Sequence, residues 1–329
     1  MSGSPSDASQ ADTSRRILVD FAVEGLDVVT LDSAGPDGLL AGHDLMSPYV
    51  WERDGALNLL VRVLKNPLGA DDPTGVIYAG TSHDGLAFTM QDKPAILPGP
   101  DPVDGGGVED PTVVLSDQQV MVFYTGVETG RAQGSLLVAA GPELSDLTKR
   151  KVLLQARQGE GNIKEATVAQ GADGRYRLFY EYAAEFGPGP DGDKAAASRI
   201  GMAIADKLEG PWTVVDDPFT VREHAWDNWH LSTGPILVHE GEAPIMFYNG
   251  ATLDARWRIG WIAFDENFTK VVDRCIEPLI VPPPPRLRSG TDIAFAASCI
   301  TLGEEIHLYF SLEDRVLRRA SLACLTPKH

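Results

Sequence analysis

The chain has 329 residues, 43% of them hydrophobic, and a formal net charge of −19; this is enough apolar material for a packed core, in one large domain or two ordinary ones. The acidic balance, with no Lys- or Arg-rich stretch, argues against nucleic acid or an anionic membrane as a partner, and no apolar run reaches the roughly 18 residues of a membrane span. Three cysteines, Cys275, Cys299 and Cys324, are too few and too scattered for a disulfide framework or a zinc site, which fits a reducing, cytoplasmic setting.

Residues 1–15 are polar, lack the apolar centre of a signal peptide, and read as a disordered lead-in. Residues 16–329 read as a single domain. Ile17–Val23 (ILVDFAV) is a strand candidate with no repeat of its own. After it one phrase recurs five times: a short apolar strand, a turn, and a second strand ending in an aromatic-rich run. The second strands are Leu57–Val63, Val120–Gly126, Tyr176–Tyr182, Pro244–Gly250 and Ile306–Leu312, and the first strands start near Ser47, Asp110, Glu165, Thr233 and Asp292. Outer strands follow at Val76–Thr89, Ser135–Ala140, Ser198–Val215, Trp257–Val272 and Val316–Cys324. A long period with only strand signals inside it predicts an all-β chain, a five-bladed β-propeller with one repeat per blade. The last repeat is one strand short, so Ile17–Val23 is expected to complete it and close the ring, which removes exposed sheet edges. Three irregular stretches, Pro98–Gly107, Glu185–Lys194 and Val281–Gly290, are loops of the kind that shape a pocket.

A propeller gathers the starts of its inner strands around one channel. The polar residues there are Asp44, Ser47, Glu109, Asp110, Lys164, Glu165, His230, Ser232 and Asp292, with Arg62, Glu181 and Asp314 at second-strand ends. A lone buried carboxylate is costly, so several acids with Arg62, Lys164 and His230 at one rim make better sense as a site. Paired carboxylates around a pocket are the equipment of glycoside hydrolysis. In a regular strand Glu109 and Asp110 would face opposite sides. Tyr124, Tyr180, Tyr248, Trp226, Trp229 and Trp257 are candidate flat faces for a sugar; the tyrosines lie in apolar strands and read mainly as core, and Trp226 and Trp229 are the better candidates because HAWDNWH is not a strand pattern. Asp44, Asp110, Glu165, Asp292 and Asp314 are oxygen ligands suited to Ca²⁺, but no dense ligand spacing is present and no metal is assigned. No cofactor is assigned either, since neither a phosphate loop nor a nucleophile elbow occurs.

Gly107-Val108-Glu109-Asp110-Pro111 (GVEDP), followed by Phe123-Tyr124-Thr125-Gly126 (FYTG), resembles glycoside hydrolase family 130, the β-mannoside phosphorylases and β-mannosidases built on a five-bladed propeller. Ser47-Pro48 through Arg62-Val63, Ser82-His83-Asp84-Gly85 with Phe88, Gly234-Pro235, Tyr248-Asn249-Gly250, Ile259-Gly260 through Glu277-Pro278-Leu279, and Asp314 follow the family's order. The resemblance implies that Asp110 is the general acid, its proton passing through a sugar hydroxyl to the glycosidic oxygen. The chemistry demands a carboxyl kept protonated by burial and neighbouring acids. It further implies sugar contacts from Ser47, Arg62, Glu109, Lys164, His230, Tyr248, Asp292 and Asp314.

The departures carry as much information. The family's phosphorylases hold phosphate with two arginines and a lysine, and phosphate recognition needs cationic donors. Lys164, Glu181 and His230 stand at the matching positions, and Thr112 replaces the arginine after the Asp-Pro pair. The resemblance therefore implies an inverting hydrolase of a β-mannoside or related small glycoside, with Glu181 or Glu165 activating water. The plain alternative for Glu181 is a salt bridge to Lys164 without a catalytic part. Three other readings stay open: a phosphorylase whose anion site is rebuilt from Lys164, a protonated His230 and Arg286 or Arg288; a propeller that binds a carbohydrate or other small molecule without cleaving it; and a pocket repurposed for other chemistry. No self-association signal is evident.

Overall fold

The computed structural model describes residues 19–34, 38–116, 119–188, 194–239, 241–284 and 292–325. The lead-in 1–15 and the arginines Arg286 and Arg288 lie outside them, as do parts of the Glu185–Lys194 and Val281–Gly290 loops. Among the described residues the fold is all-β, with only three single-turn 3-10 segments, Asp32–Ala34, Pro102–Asp104 and Leu144–Asp146. None of its helices is long and apolar enough to cross a membrane.

The repeats fold as successive antiparallel meanders. His43–Arg53, Ala56–Lys65, Val76–Ser82 and Ala87–Ile96 form the first, with Thr30–Leu31 added in parallel at its outer edge. Gly107–Ser116, Gln119–Val127, Gly134–Gly141 and Thr148–Leu154 form the second, and Glu160–Gln170, Tyr176–Pro188, Lys194–Ala205 and Thr213–Val215 the third. The fourth is broken into two small sheets that follow one another along the same chain segments, from His230–Ser232 to Val271–Arg274. Pro235 interrupts it because it has no N–H to donate to the ladder, and Gly234 lies where a Cβ would stand 1.9 Å from the Phe247 carbonyl oxygen. The last sheet is Ala294–Leu302, Glu305–Leu312 and Val316–Cys324, completed by the N-terminal strand Phe21–Val28, which pairs antiparallel with Val316–Cys324. That strand starts four residues later than the Ile17–Val23 expected from hydrophobicity. The Thr148–Leu154 edge strand (TKRKVLL) carries three cations and has no apolar alternation by which to read it.

Three first strands begin three to five residues before their expected starts, at His43, Gly107 and Glu160. The residues that marked those starts are bulges. Ser47, Asp110 and Glu165 have φ of 52°, 51° and 56°, and the pairing register slips at each of them. The apolar alternation resumes only after the bulge, so the bulge is what the sequence pattern registers as a beginning. A left-handed non-glycine residue costs on the order of 1–3 kcal/mol, which the surrounding hydrogen bonds must over-determine.

Polar side chains next to these bulges fasten each sheet to its neighbour. Ser47 Oγ donates to Asp110 Oδ1 (2.7 Å) and Tyr49 OH to the Val113 carbonyl. Thr112 Oγ1 donates to the Ala166 carbonyl, and the Glu165 N–H donates to Thr125 Oγ1. Thr167 Oγ1 donates to the Gly234 carbonyl and Thr233 Oγ1 to that of Glu165. Asn249 both donates to the Ala296 carbonyl and accepts from the Ala296 N–H. Ser298 Oγ donates to the Pro48 carbonyl and accepts the Val50 N–H, tying the last sheet back to the first.

The aromatic-rich second strands supply the core. Tyr124, Tyr180, Tyr248 and Tyr309 are all at most 1% exposed, and burying such a side chain contributes roughly 1.5–3 kcal/mol. A buried tyrosine hydroxyl needs a partner. Tyr124 OH donates to the fully buried Asp104 (3.0 Å), which also pairs with Lys149 (2.6 Å). Tyr248 OH donates to Asp227 (2.6 Å), which Arg222 grips through two contacts of 3.0 and 3.1 Å.

Candidate active site

The bulges at Asp110 and Glu165 deliver carboxylates from two sheets to one cluster, and the turn at Asp314 adds one from the last sheet. Because the register slips at Asp110, Glu109 and Asp110 do not face opposite sides as a regular strand would require: both reach Arg62. Arg62 NH2 lies 2.7 Å from Glu109 Oε1 and NH1 3.5 Å from Asp110 Oδ1, with side-chain exposures of 9% and 3% for the two acids. Arg62 also donates through Nε and NH2 to the Thr74 carbonyl. Asp110 Oδ1 thus has Ser47 and Arg62, whereas Asp110 Oδ2 is buried with no hydrogen-bond partner among the described residues. An orphaned carboxylate oxygen in such surroundings is costly.

Lys164 and Glu181 are cross-strand partners. Their side chains approach to 3.8 Å, with Glu181 6% and Lys164 39% exposed. Ser198 Oγ donates to Glu181 Oε1 (2.8 Å), and the Ser198 N–H donates to His230 Nδ1 (3.1 Å). Burial lowers the His230 pKa, against a smaller opposing effect of Glu181, so the ring stays neutral. Glu165, half-buried at its bulge, is held well above the usual carboxylate range by burial and then by the Asp110 carboxylate. Burial likewise raises Glu109 and Asp314. Asp314, left-handed at φ 50° in the turn after Glu305–Leu312, feels Arg62, Lys164 and Asp110. Although burial opposes it, the Arg62 pKa is raised by Glu109, Asp110, Glu165 and Asp314. The Lys164 ammonium is stabilised first by Glu181. Among the described residues, five acids therefore share two cations.

Two expected residues stand elsewhere. Asp292 pairs with Arg256 (3.1 Å), and its carbonyl accepts the Trp257 N–H. Tyr248, expected at the sugar, is fully buried beneath a stacked Trp226 (5.4 Å between centroids) and spends its hydroxyl on Asp227 and Arg274. Its apolar strand already favoured the core, and the buried acid of the HAWDNWH segment explains why the ring is a tyrosine. Trp226 is committed to the same packing, its Nε1 donating to the Ile276 carbonyl. Ser198 and Thr74 were missed. They lie in a strand and a turn with no pattern to mark them, and only the fold brings them to the cluster. Among the described residues no group of three or more His, Cys, Asp or Glu is arranged to hold a metal ion. A separate cleft of about 360 Å³, walled by Phe21, Trp261, Arg274 and Pro278, contains none of the cluster.

No family model matches the chain. A β-1,2-mannobiose phosphorylase of a Thermoanaerobacter species is 24% identical over 304 residues, covering 84% of this chain and 93% of that protein. Among solved structures, the β-1,2-mannobiose phosphorylase of Listeria innocua in complex with β-1,2-mannobiose superposes with a TM-score of 0.67 at 18% identity, over 92% of this chain and 91% of that one. A second structure superposes with a TM-score of 0.71 at 20% identity, over 91% and 94% of the two chains. It is reported under the statement that the GH130 family of mannoside phosphorylases contains glycoside hydrolases targeting β-1,2 mannosidic linkages in Candida mannan. In sequence and in fold the chain is similar to glycoside hydrolase family 130 proteins.

Proposed function

We propose that this protein is a glycosidase that cleaves a β-mannoside or a related small glycoside by hydrolysis with inversion, using Asp110 as general acid. The observation that carries the reading is the charge arrangement of the cluster. Its two cations among the described residues are already turned to carboxylates, Arg62 to Glu109 and Asp110, Lys164 to Glu181. The excess negative charge repels phosphate and tolerates water and neutral hydroxyls. Asp110 Oδ2, buried and unpartnered among the described residues, suits a proton on its way to a sugar oxygen. Of the two candidate bases, Glu165 holds its proton too tightly, whereas Glu181 is oriented by Ser198 and Lys164. Glu181 is therefore the residue we assign to water. Ser47, Arg62, Glu109, Lys164, His230 and Asp314 position the sugar. The same reading treats residues 16–329 as one five-bladed propeller closed by the N-terminal strand. Its support is the cycle of side-chain hydrogen bonds that leads from the first sheet through the others and back to the first.

Phosphorolysis is the second reading. The 24% identical relative is a phosphorylase, and Lys164, with 39% of its side chain exposed, is a cation within reach of an anion. Product analysis with β-1,2-mannobiose, with and without inorganic phosphate, decides between them. Free mannose without phosphate, lost by about 10²–10⁴-fold in Asp110→Asn, is the expected result. Sugar 1-phosphate formed only when phosphate is present refutes hydrolysis.

A further inference from the structure

Among the described residues, two repeats carry the same buried trio outside the carboxylate cluster. In the second repeat Asp104 Oδ2 accepts from Tyr124 OH (3.0 Å) and from Lys149 Nζ (2.6 Å). In the fourth, Asp227 Oδ2 accepts from Tyr248 OH (2.6 Å) and from Arg274, with Arg222 as a further partner. The parts correspond in position. Each acid is fully buried in the segment that leads into a first strand, 20 residues ahead of its tyrosine in one repeat and 21 in the other. Lys149 and Arg274 stand on the outer strands Thr148–Leu154 and Val271–Arg274. The glycines of Phe-Tyr-Thr-Gly and Phe-Tyr-Asn-Gly complete the pattern. A Cβ on Gly126 would stand 2.7 Å from that of Asp104, and one on Gly250 2.7 Å from that of Asp227, so only a residue without a Cβ leaves room for the acid.

We infer that Asp104 and Asp227 are positioning residues for the pocket: Asp104 seats the Pro98–Gly107 loop that delivers Glu109 and Asp110, and Asp227 seats the segment that delivers His230. The catalytic part of what they seat rests on the glycosidase reading above. In the second repeat the connection runs bond by bond. Asp104 Oδ1 accepts the Gly99 N–H (3.1 Å) and Lys149 also donates to the Gly99 carbonyl, so the loop closes on one carboxylate. The Gly106 carbonyl, two residues on, accepts the Thr74 N–H (2.8 Å). The Thr74 carbonyl in turn accepts Arg62 Nε (3.1 Å) and NH2 (2.8 Å), and this guanidinium pairs with Glu109 and Asp110. In the fourth repeat the step is shorter: the Trp229 N–H donates to the Ala251 carbonyl (3.1 Å), and His230 pairs with Ala251 in the ladder. A loop that left its seat would strand a buried charge. Each is therefore held in one position ahead of substrate binding, which is the geometry a proton donor needs.

Lys149→Met takes the cation from the first trio and Lys149→Arg keeps one. Hydrogen exchange of the free proteins, read by mass spectrometry, tests the seat. In Lys149→Met, peptides covering residues 74–76 and 99–110 should exchange about tenfold faster or more. Peptides covering residues 176–182 should keep the wild-type rate, and Lys149→Arg should restore protection. Equal acceleration throughout the chain, as a general loss of stability would give, overturns the inference, and so does no acceleration. If Lys149→Met does not fold, Tyr124→Phe, which removes only a hydroxyl, takes its place with an expected local acceleration of about threefold. With β-1,2-mannobiose as substrate, kcat of Lys149→Met should fall by about tenfold and recover in Lys149→Arg. A loosened loop with an unaltered kcat, or a change confined to KM, refutes the positioning of the acid pair. A wild-type protein without turnover sinks the glycosidase reading by itself, and the exchange result alone then decides the seat.

Discussion

Replacing Arg62 by Met should destabilise the fold by about 3–5 kcal/mol at neutral pH, the cost of leaving buried carboxylates without their cation. The size of the effect follows from contacts of 2.7 Å to Glu109 and 3.5 Å to Asp110, whose side chains are 9% and 3% exposed. Met preserves the length of the stem but offers neither charge nor donors, so the Thr74 carbonyl loses its partner as well. Arg62→Lys keeps a charge without the planar fork and should fall between the two. The pH dependence has a definite sign. The Glu109 pKa is already above its ordinary value through burial, and loss of Arg62 pushes it higher. A carboxyl with a raised folded-state pKa costs nothing below the unfolded value and costs progressively more as pH rises through the folded one. The deficit of Arg62→Met should therefore shrink on acidification. Urea unfolding of both proteins in steps from pH 8 to pH 5 measures it. A deficit under about 1 kcal/mol at pH 8, or one that does not change with pH, would refute the argument.

Glu165→Gln should raise the stability by about 1 kcal/mol at pH 8, because it removes a carboxyl whose raised pKa penalises the folded state as pH rises; the gain, read by thermal unfolding, should vanish below the ordinary carboxylate range. Tyr248→Phe should cost about 1–3 kcal/mol by stripping Asp227 of a buried donor, yet leave sugar affinity in calorimetry as it was; weakened binding would return Tyr248 to the site. His230 has a lowered folded-state pKa, so it contributes stability above its unfolded value that is lost as pH falls. His230→Gln should flatten the stability profile between pH 7.5 and 5.5, and an unaltered slope would count against a neutral His230.

Strand identity and order were legible from hydrophobic pattern alone, because alternation and aromatic runs are local properties of the chain. The FYTG, LFYEY and MFYNG runs announced buried second strands, and Tyr124, Tyr180 and Tyr248 lie where apolar neighbours said they would. The acids at the strand starts could be named for the same reason. What the sequence could not show was which way they face. Glu109 and Asp110 share Arg62 only because Asp110 is a left-handed bulge, and that backbone state is imposed by Ser47 and Arg62 from another sheet. Tyr248 and Asp292 carry the right residue types but were turned elsewhere by Asp227 and Arg256, partners 21 and 36 residues distant in the chain. Residue type and period are encoded locally, whereas facing direction and charge pairing depend on contacts between separate sheets, which exist only once the sheets have packed.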